Sequence, residues 1–130
     1  MNSFALDMDT KMKHLEVGKA GEFLAMVFLK KKGLRLLNMN WRWHRLEVDL
    51  IMKEKDTLVF VEVKTRSNSG SILPEDAVNH KKMQNLLKAA EQYIYKYKLD
   101  CEVRFDIVAI SNFPVRPDIM HFKDAFYSYN

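Results

Sequence analysis

The chain has 130 residues, 48% of them hydrophobic and 12% aromatic, enough for one domain with a sizeable core. A single cysteine, Cys101, excludes an internal disulfide framework and a cysteine-built zinc cluster, and His14, His44, His80 and His121 lack the close spacing of a histidine zinc site. The formal net charge of +4 fits either an ordinary solvated surface or the electrostatic footprint of a protein that binds a polyanion. No apolar run reaches the roughly 18 residues of a membrane span. The opening residues carry acids where a signal peptide needs an unbroken apolar stretch, so a soluble, cytoplasmic protein without a membrane partner is expected.

Residues 1–12 read as a flexible N-terminus and 13–130 as a single domain. The spacing predicts a helix from His14 to Lys32, closed by Gly33, with the lysines at its end complementing the helix dipole. An extended region follows: Leu34–Leu37 opens a strand that Asn38 and Asn40 interrupt, and Leu46–Met52 forms a second. After a polar break at Glu54–Thr57, Leu58–Thr65 is the strongest strand signal in the chain, rich in β-branched residues. Beyond the loop Ser67–Ser71, a second helix is expected from Pro74 or Glu75 to Tyr97. Its core stripe is Met83, Leu86, Leu87, Ala90, Tyr93, Ile94 and Tyr97. Val103–Ser111 and Ile119–Phe122 complete an α-β-β-β-α-β-β order, an α/β (α+β) three-layer domain with a mixed central sheet.

The third strand carries the most informative feature. Alternation puts Val59, Val61 and Val63 on one face and Phe60, Glu62 and Lys64 on the other. If Glu54–Thr57 is a hairpin loop, Lys53 pairs with Leu58, and counting outward sets Asp49 opposite Glu62. Directly opposed like charges destabilise a sheet unless something compensates them, and a divalent cation with hard oxygen ligands is the simplest candidate. A slip of one residue would turn Asp49 to the other face. The alternative is a structural salt-bridge cluster. Glu22 shares a helical row with Leu15, Gly18, Ala25 and Leu29, whose small members would let the helix approach the sheet closely. It reads either as a further ligand or as a boundary glutamate.

These residues resemble a family. Gly18-x-x-Gly21-Glu22, Asn40-x-Arg42, Glu47-Val48-Asp49-Leu50-Ile51 and Val59-Phe60-Val61-Glu62-Val63-Lys64-x-Arg66 match the YraN-like uncharacterised bacterial proteins. Val78, Lys82, Arg104-Phe105-Asp106 and His121-x-x-Asp124-Ala125-Phe126 continue the match almost to the end of the chain. That family is similar to the restriction-endonuclease-like PD-(D/E)XK superfamily, which includes the archaeal Holliday-junction resolvases. The resemblance implies an α-β-β-β-α-β core, Mg²⁺ (or Mn²⁺) as cofactor and phosphodiester cleavage. It implies catalytic roles for Asp49, Glu62, Lys64 and Glu22, with Asp49, Glu62, Glu22 and the Val63 carbonyl around the metal. Val48 stands where the motif name has proline, and Leu46 where the family usually has glycine. The resolvases act as dimers, which admits a homodimer, although no interface is legible in the residues.

Around the acids, Trp41-Arg42-Trp43-His44-Arg45 is the best nucleic-acid candidate: arginine grips phosphate, and tryptophan stacks on unpaired bases. A strand edge with core tryptophans is the plain alternative. Arg42, Arg45, Arg66 and Lys82 are the expected nucleic-acid contacts, with the loop after Arg66 placed to close over substrate. Asp106 reads as structural support, paired with Arg104 or a lysine. Three functions compete: a Mg²⁺-dependent endonuclease acting on DNA, branched or damaged DNA included; a non-catalytic nucleic-acid-binding module of a repair or recombination complex; and a structural protein whose acids form a salt-bridge network.

Overall fold

A computed structural model describes residues 3–125, with backbone alone for 3–15, 74 and 75. The helix α1 spans Ser3–Lys31 and so begins well before the expected His14, because no proline or glycine interrupts the chain before Gly18. Its end is as expected. Gly33 sits at φ 102°, its N–H donates to Lys30 O, and the Leu34 N–H reaches back to Leu29 O at 3.1 Å, a Schellman closure. Leu34 is then buried rather than part of a strand.

The strands β1 (Arg35–Trp43), β2 (Leu46–Glu54), β3 (Thr57–Thr65), β4 (Glu102–Ser111) and β5 (Asp118–Phe122) lie side by side in chain order in one sheet. All neighbours are antiparallel except β3 and β4, which makes the sheet mixed. The asparagines expected to interrupt β1 are absorbed within it. A register shift falls between Leu36 and Asn38, and Asn40 takes a left-handed φ of 49°.

The parallel connection from β3 to β4 passes through a short helix α2 (Pro74–Ala77) and the helix α3 (His80–Tyr97). One continuous helix was expected here. The break comes at Asn79, whose extended backbone and side-chain oxygen, accepting from the Lys82 N–H at 2.8 Å, start a new helix. The α3 stripe is also narrower than expected: Leu86, Ala89, Ala90 and Tyr93 are buried, whereas Leu87 and Tyr97 are exposed.

Helices cover both sheet faces. Ala25 and Leu29 of α1 pack with Leu50, Met52, Val59, Val61, Val108 and Ile110, while Leu86, Ala90 and Tyr93 of α3 pack with Ile51, Phe60, Ile107 and Ala109. Leu58 to Val61 are therefore buried on alternate faces in an unbroken run, each large side chain contributing about 1.5–3 kcal/mol. Leu46 packs against the α3-side core.

The close approach of α1 to the sheet is made by Gly21, not by Gly18 as the row of small residues implied. A Cβ at Gly21 would collide with Thr65 Oγ1 and lie 2.9 Å from Thr65 Cβ, whereas one at Gly18 would meet nothing within 4 Å. Opposite outcomes are expected. Gly18→Ala should stabilise the protein by about 0.5–1 kcal/mol through helix propensity, and Gly21→Ala should destabilise it by about 1–3 kcal/mol through overpacking. Urea unfolding of both variants checks this, and partial relief of Gly21→Ala by Thr65→Ala would locate the clash.

A buried ionic cluster ties β4 and β5 to the β2–β3 hairpin. Asp106, fully buried, receives Arg104 Nε and Nη2 at 2.9 and 3.0 Å, the Asp124 N–H at 3.0 Å and His121 Nε2 at 2.8 Å. Arg104 Nη1 also reaches Glu54 at 2.8 Å. Lys32 Nζ lies 2.8 Å from His121 Nδ1 and can only donate, which leaves the imidazole proton on Nε2, facing Asp106. Asp106 is thus structural support, paired with Arg104. Phe126, matched at the end of the family pattern, lies outside the described residues.

Candidate active site

The β2–β3 ladder has the expected register, with Lys53 opposite Leu58, but a shorter loop. Glu54 and Thr57 are still paired, and Lys55–Asp56 alone make the turn, Lys55 at φ 54°. Pairing runs to Leu50 opposite Val61, and the next link is a side chain: Asp49 Oδ2 accepts the Val63 N–H at 2.8 Å. Asp49 and Glu62 thus meet where the ladder ends. Burial, reinforced by the Glu62 and Glu22 charges, pushes the Asp49 carboxyl up to about 8 against the pull of the Val63 N–H and Lys82. Burial also raises Glu62 above the ordinary glutamate value, opposed by Lys82.

Lys82 is the partner that strand patterns did not reveal. Standing on the first turn of α3, it forms an ion pair with Glu62, whose side chain is only 5% exposed. Burial disfavours the ammonium, yet Glu62, Asp49 and Glu47 outweigh it and hold its pKa above the ordinary lysine value. The lysine expected on phosphate therefore serves as counter-charge to the acids. The only available clue lay in the family match at Lys82, because no local periodicity links α3 to β3.

Glu22 arrives from the α1 side. Its Oε2 accepts from Asn40 Nδ2 at 2.8 Å, and its charge acts on both Asp49 and Glu62. Gly21, next to it, brings α1 near enough for that reach. Lys64, exposed near the end of β3, shares the Glu62 face by alternation. Among the described residues, no group of three or more His, Cys, Asp or Glu side chains has the arrangement of a metal cluster.

The other expected contacts are spread around this end of the sheet. Arg66 Nη2 donates to Gly70 O at 3.1 Å and Ser71 O at 2.6 Å, which engages the guanidinium with its own loop. Arg42 pairs with Glu47 at 3.3 Å, both partners being substantially exposed. Arg45 stands in the β1–β2 turn. The two tryptophans part company: Trp41 is buried edge-to-face on Tyr93 at 5.2 Å, while Trp43 is 36% exposed.

A mixed five-stranded sheet flanked by helices, with an Asp and a Glu-x-Lys on adjacent strands, is the three-layer restriction-endonuclease-like architecture of the PD-(D/E)XK superfamily. Residues 21–110 match the uncharacterised protein family UPF0102. The chain is 43% identical to UPF0102 protein FP2501 of Flavobacterium psychrophilum, over 90% of this chain and 98% of the relative. It is 44% identical to a UPF0102 protein of Christiangramia forsetii, over 88% and 97% of the two chains. It is 38% identical to UPF0102 protein LI0223 of Lawsonia intracellularis, over 91% and 90%. The chain belongs to the UPF0102 family. No helix among its described residues is long and apolar enough to cross a membrane.

Proposed function

We propose that this protein is a Mg²⁺- or Mn²⁺-dependent endonuclease that hydrolyses phosphodiester bonds in DNA, including branched or damaged DNA. The observation that carries this reading is the Asp49–Glu62 pair at the end of the β2–β3 ladder, with Lys64 on the same face as Glu62. Two half-buried to buried carboxylates, both raised chiefly by burial and both pushed further up by the Glu22 charge, are a donor set suited to a hard divalent ion, which usually takes one or two carboxylates and keeps several waters.

Asp49 and Glu62 would hold the ion with help from the Val63 carbonyl, and Glu22 would complete the site directly or through water. When bound, it would polarise the scissile phosphate and lower the pKa of an attacking water. Lys64 would orient that water and stabilise the charge that develops on phosphate oxygen. The Val63 N–H fixes the Asp49 carboxylate for its task.

One observation favours a second reading. Lys82 already neutralises Glu62, as it would in a module of the same fold that holds nucleic acid without cutting it. The test is incubation of purified protein with branched, flapped and linear DNA and Mg²⁺ or Mn²⁺. Metal-dependent cleavage that disappears in Glu62→Ala is expected. Salt-sensitive DNA binding without cleavage, together with a melting temperature indifferent to either metal, would favour the binding module.

A further inference from the structure

We infer that the tip of the β1–β2 hairpin, built on Trp43 and His44, is a stacking platform for an unpaired nucleobase. The preferred substrate is then nucleic acid with a single-stranded segment beside the bond that is cut. This deepens the nuclease reading and rests on it.

The hairpin turns through His44 and Arg45, with His44 at a left-handed φ of 55°. The His44 ring stands edge-on to the Trp43 indole, centroids 4.3 Å apart and planes at 83°. A non-glycine residue at positive φ is held there at a cost, and here it sets a second ring against the first. Trp41 goes into the core, whereas Trp43, two residues on along the largely exposed edge strand β1, stays at the surface.

Position gives the platform its ligand. Trp43 pairs with Leu46 at the start of β2, and Asp49 lies on the same strand about 10 Å further along, a distance of roughly three stacked nucleotides. Arg45 is exposed beside the rings, and the Arg42 guanidinium is 72% exposed although paired with Glu47, so the aromatic surface has cationic neighbours suited to a phosphate backbone. A base inside a duplex already stacks on its neighbours and offers no face to an indole. An unpaired base does, and such stacking is lost when an aliphatic residue replaces the aromatic ring.

The full-length protein would be titrated, in EDTA at fixed salt, with a blunt duplex, a single strand and a duplex with a splayed arm, following tryptophan emission and affinity. The expected result is quenching by the two probes with unpaired bases and not by the blunt duplex. That quenching should vanish in Trp43→Phe, which leaves Trp41 in place. Trp43→Leu should bind the unpaired probes roughly 5- to 150-fold more weakly and the blunt duplex as before, whereas Trp43→Phe should keep most of the affinity. Equal losses of Trp43→Leu on all three probes, or no loss on any, while the wild-type protein binds them, would overturn the platform alone. Failure of the wild-type protein to bind any of the three probes would overturn the nucleic-acid reading and the platform with it.

Discussion

Asp106→Ala is expected to destabilise the protein by about 3–5 kcal/mol, the cost of leaving a buried charge without its partner. The substitution strips Arg104 of its bidentate acceptor and orphans His121 Nε2–H and the Asp124 N–H together. Arg104 would keep only Glu54, at the rim of the cluster. A pH dependence accompanies the loss. Burial alone would raise the Asp106 carboxyl, but the His121 and Arg104 hydrogen bonds and the Asp124 N–H hold it below the ordinary aspartate value of 3.8. A carboxyl lowered in the folded state contributes stability that is complete above its unfolded pKa, about pH 4, and is lost as pH falls through the folded value. Urea unfolding at stepped pH should show the wild type losing stability on acidification below about pH 4 and Asp106→Ala losing less. Identical acid profiles would mean that the cluster does not contribute as described.

Asp49→Asn should act in the opposite direction on stability while removing the chemistry. The amide oxygen can still accept the Val63 N–H, so the link at the end of the ladder survives. What disappears is a carboxyl that burial and its acidic neighbours push up to about 8. A group with a raised folded pKa destabilises the fold at every pH above its unfolded value, because the unfolded chain ionises it freely and the folded chain does not. In EDTA at pH 7 the variant should therefore be more stable, by up to about 4 kcal/mol, with the gain shrinking to nothing below about pH 4. It should also lose any melting shift induced by Mg²⁺ or Mn²⁺ and any metal-dependent cleavage. A variant less stable than the wild type at pH 7 would show that Asp49 is held by favourable contacts rather than against repulsion.

The acid pair was legible because it depends on local rules. Strand alternation put Glu62 and Lys64 on one face, and hairpin counting set Asp49 opposite Glu62. The Lys53–Leu58 register behind that count survived the change from a longer loop to a turn at Lys55–Asp56, while the backbone pairing itself ends at Leu50–Val61 and Asp49 bonds the Val63 N–H. Asp106 and Arg104 were legible for a similar reason, being two residues apart on one strand. Lys82 was not, since its pairing with Glu62 depends on where α3 docks, and its side chain reads equally well as a surface lysine. Gly18 and Gly21 are one turn apart on α1, and only the position of Thr65 beneath the helix tells the close approach from the idle glycine. Leu87 and Tyr97 carry the right period for a core stripe, but Ala89 and Ala90 show that α3 meets the sheet along a narrower line. The start of α3 was within reach: an asparagine whose side chain caps the residue three further on is a common helix signal, and it outweighed the helical pattern that seemed to run through from Pro74.

The first turn of α3 has a consequence for the design of the whole domain. It contains no acid, and its lysines sit at the positive end of the helix dipole, where each cation is disfavoured by about 0.3–1 kcal/mol. A helix selected for stability alone would carry glutamate there. By placing Lys82 against that preference, the chain gives up some helix stability to set a counter-charge on the buried Glu62, so that the helix start and the strand acid hold each other in place.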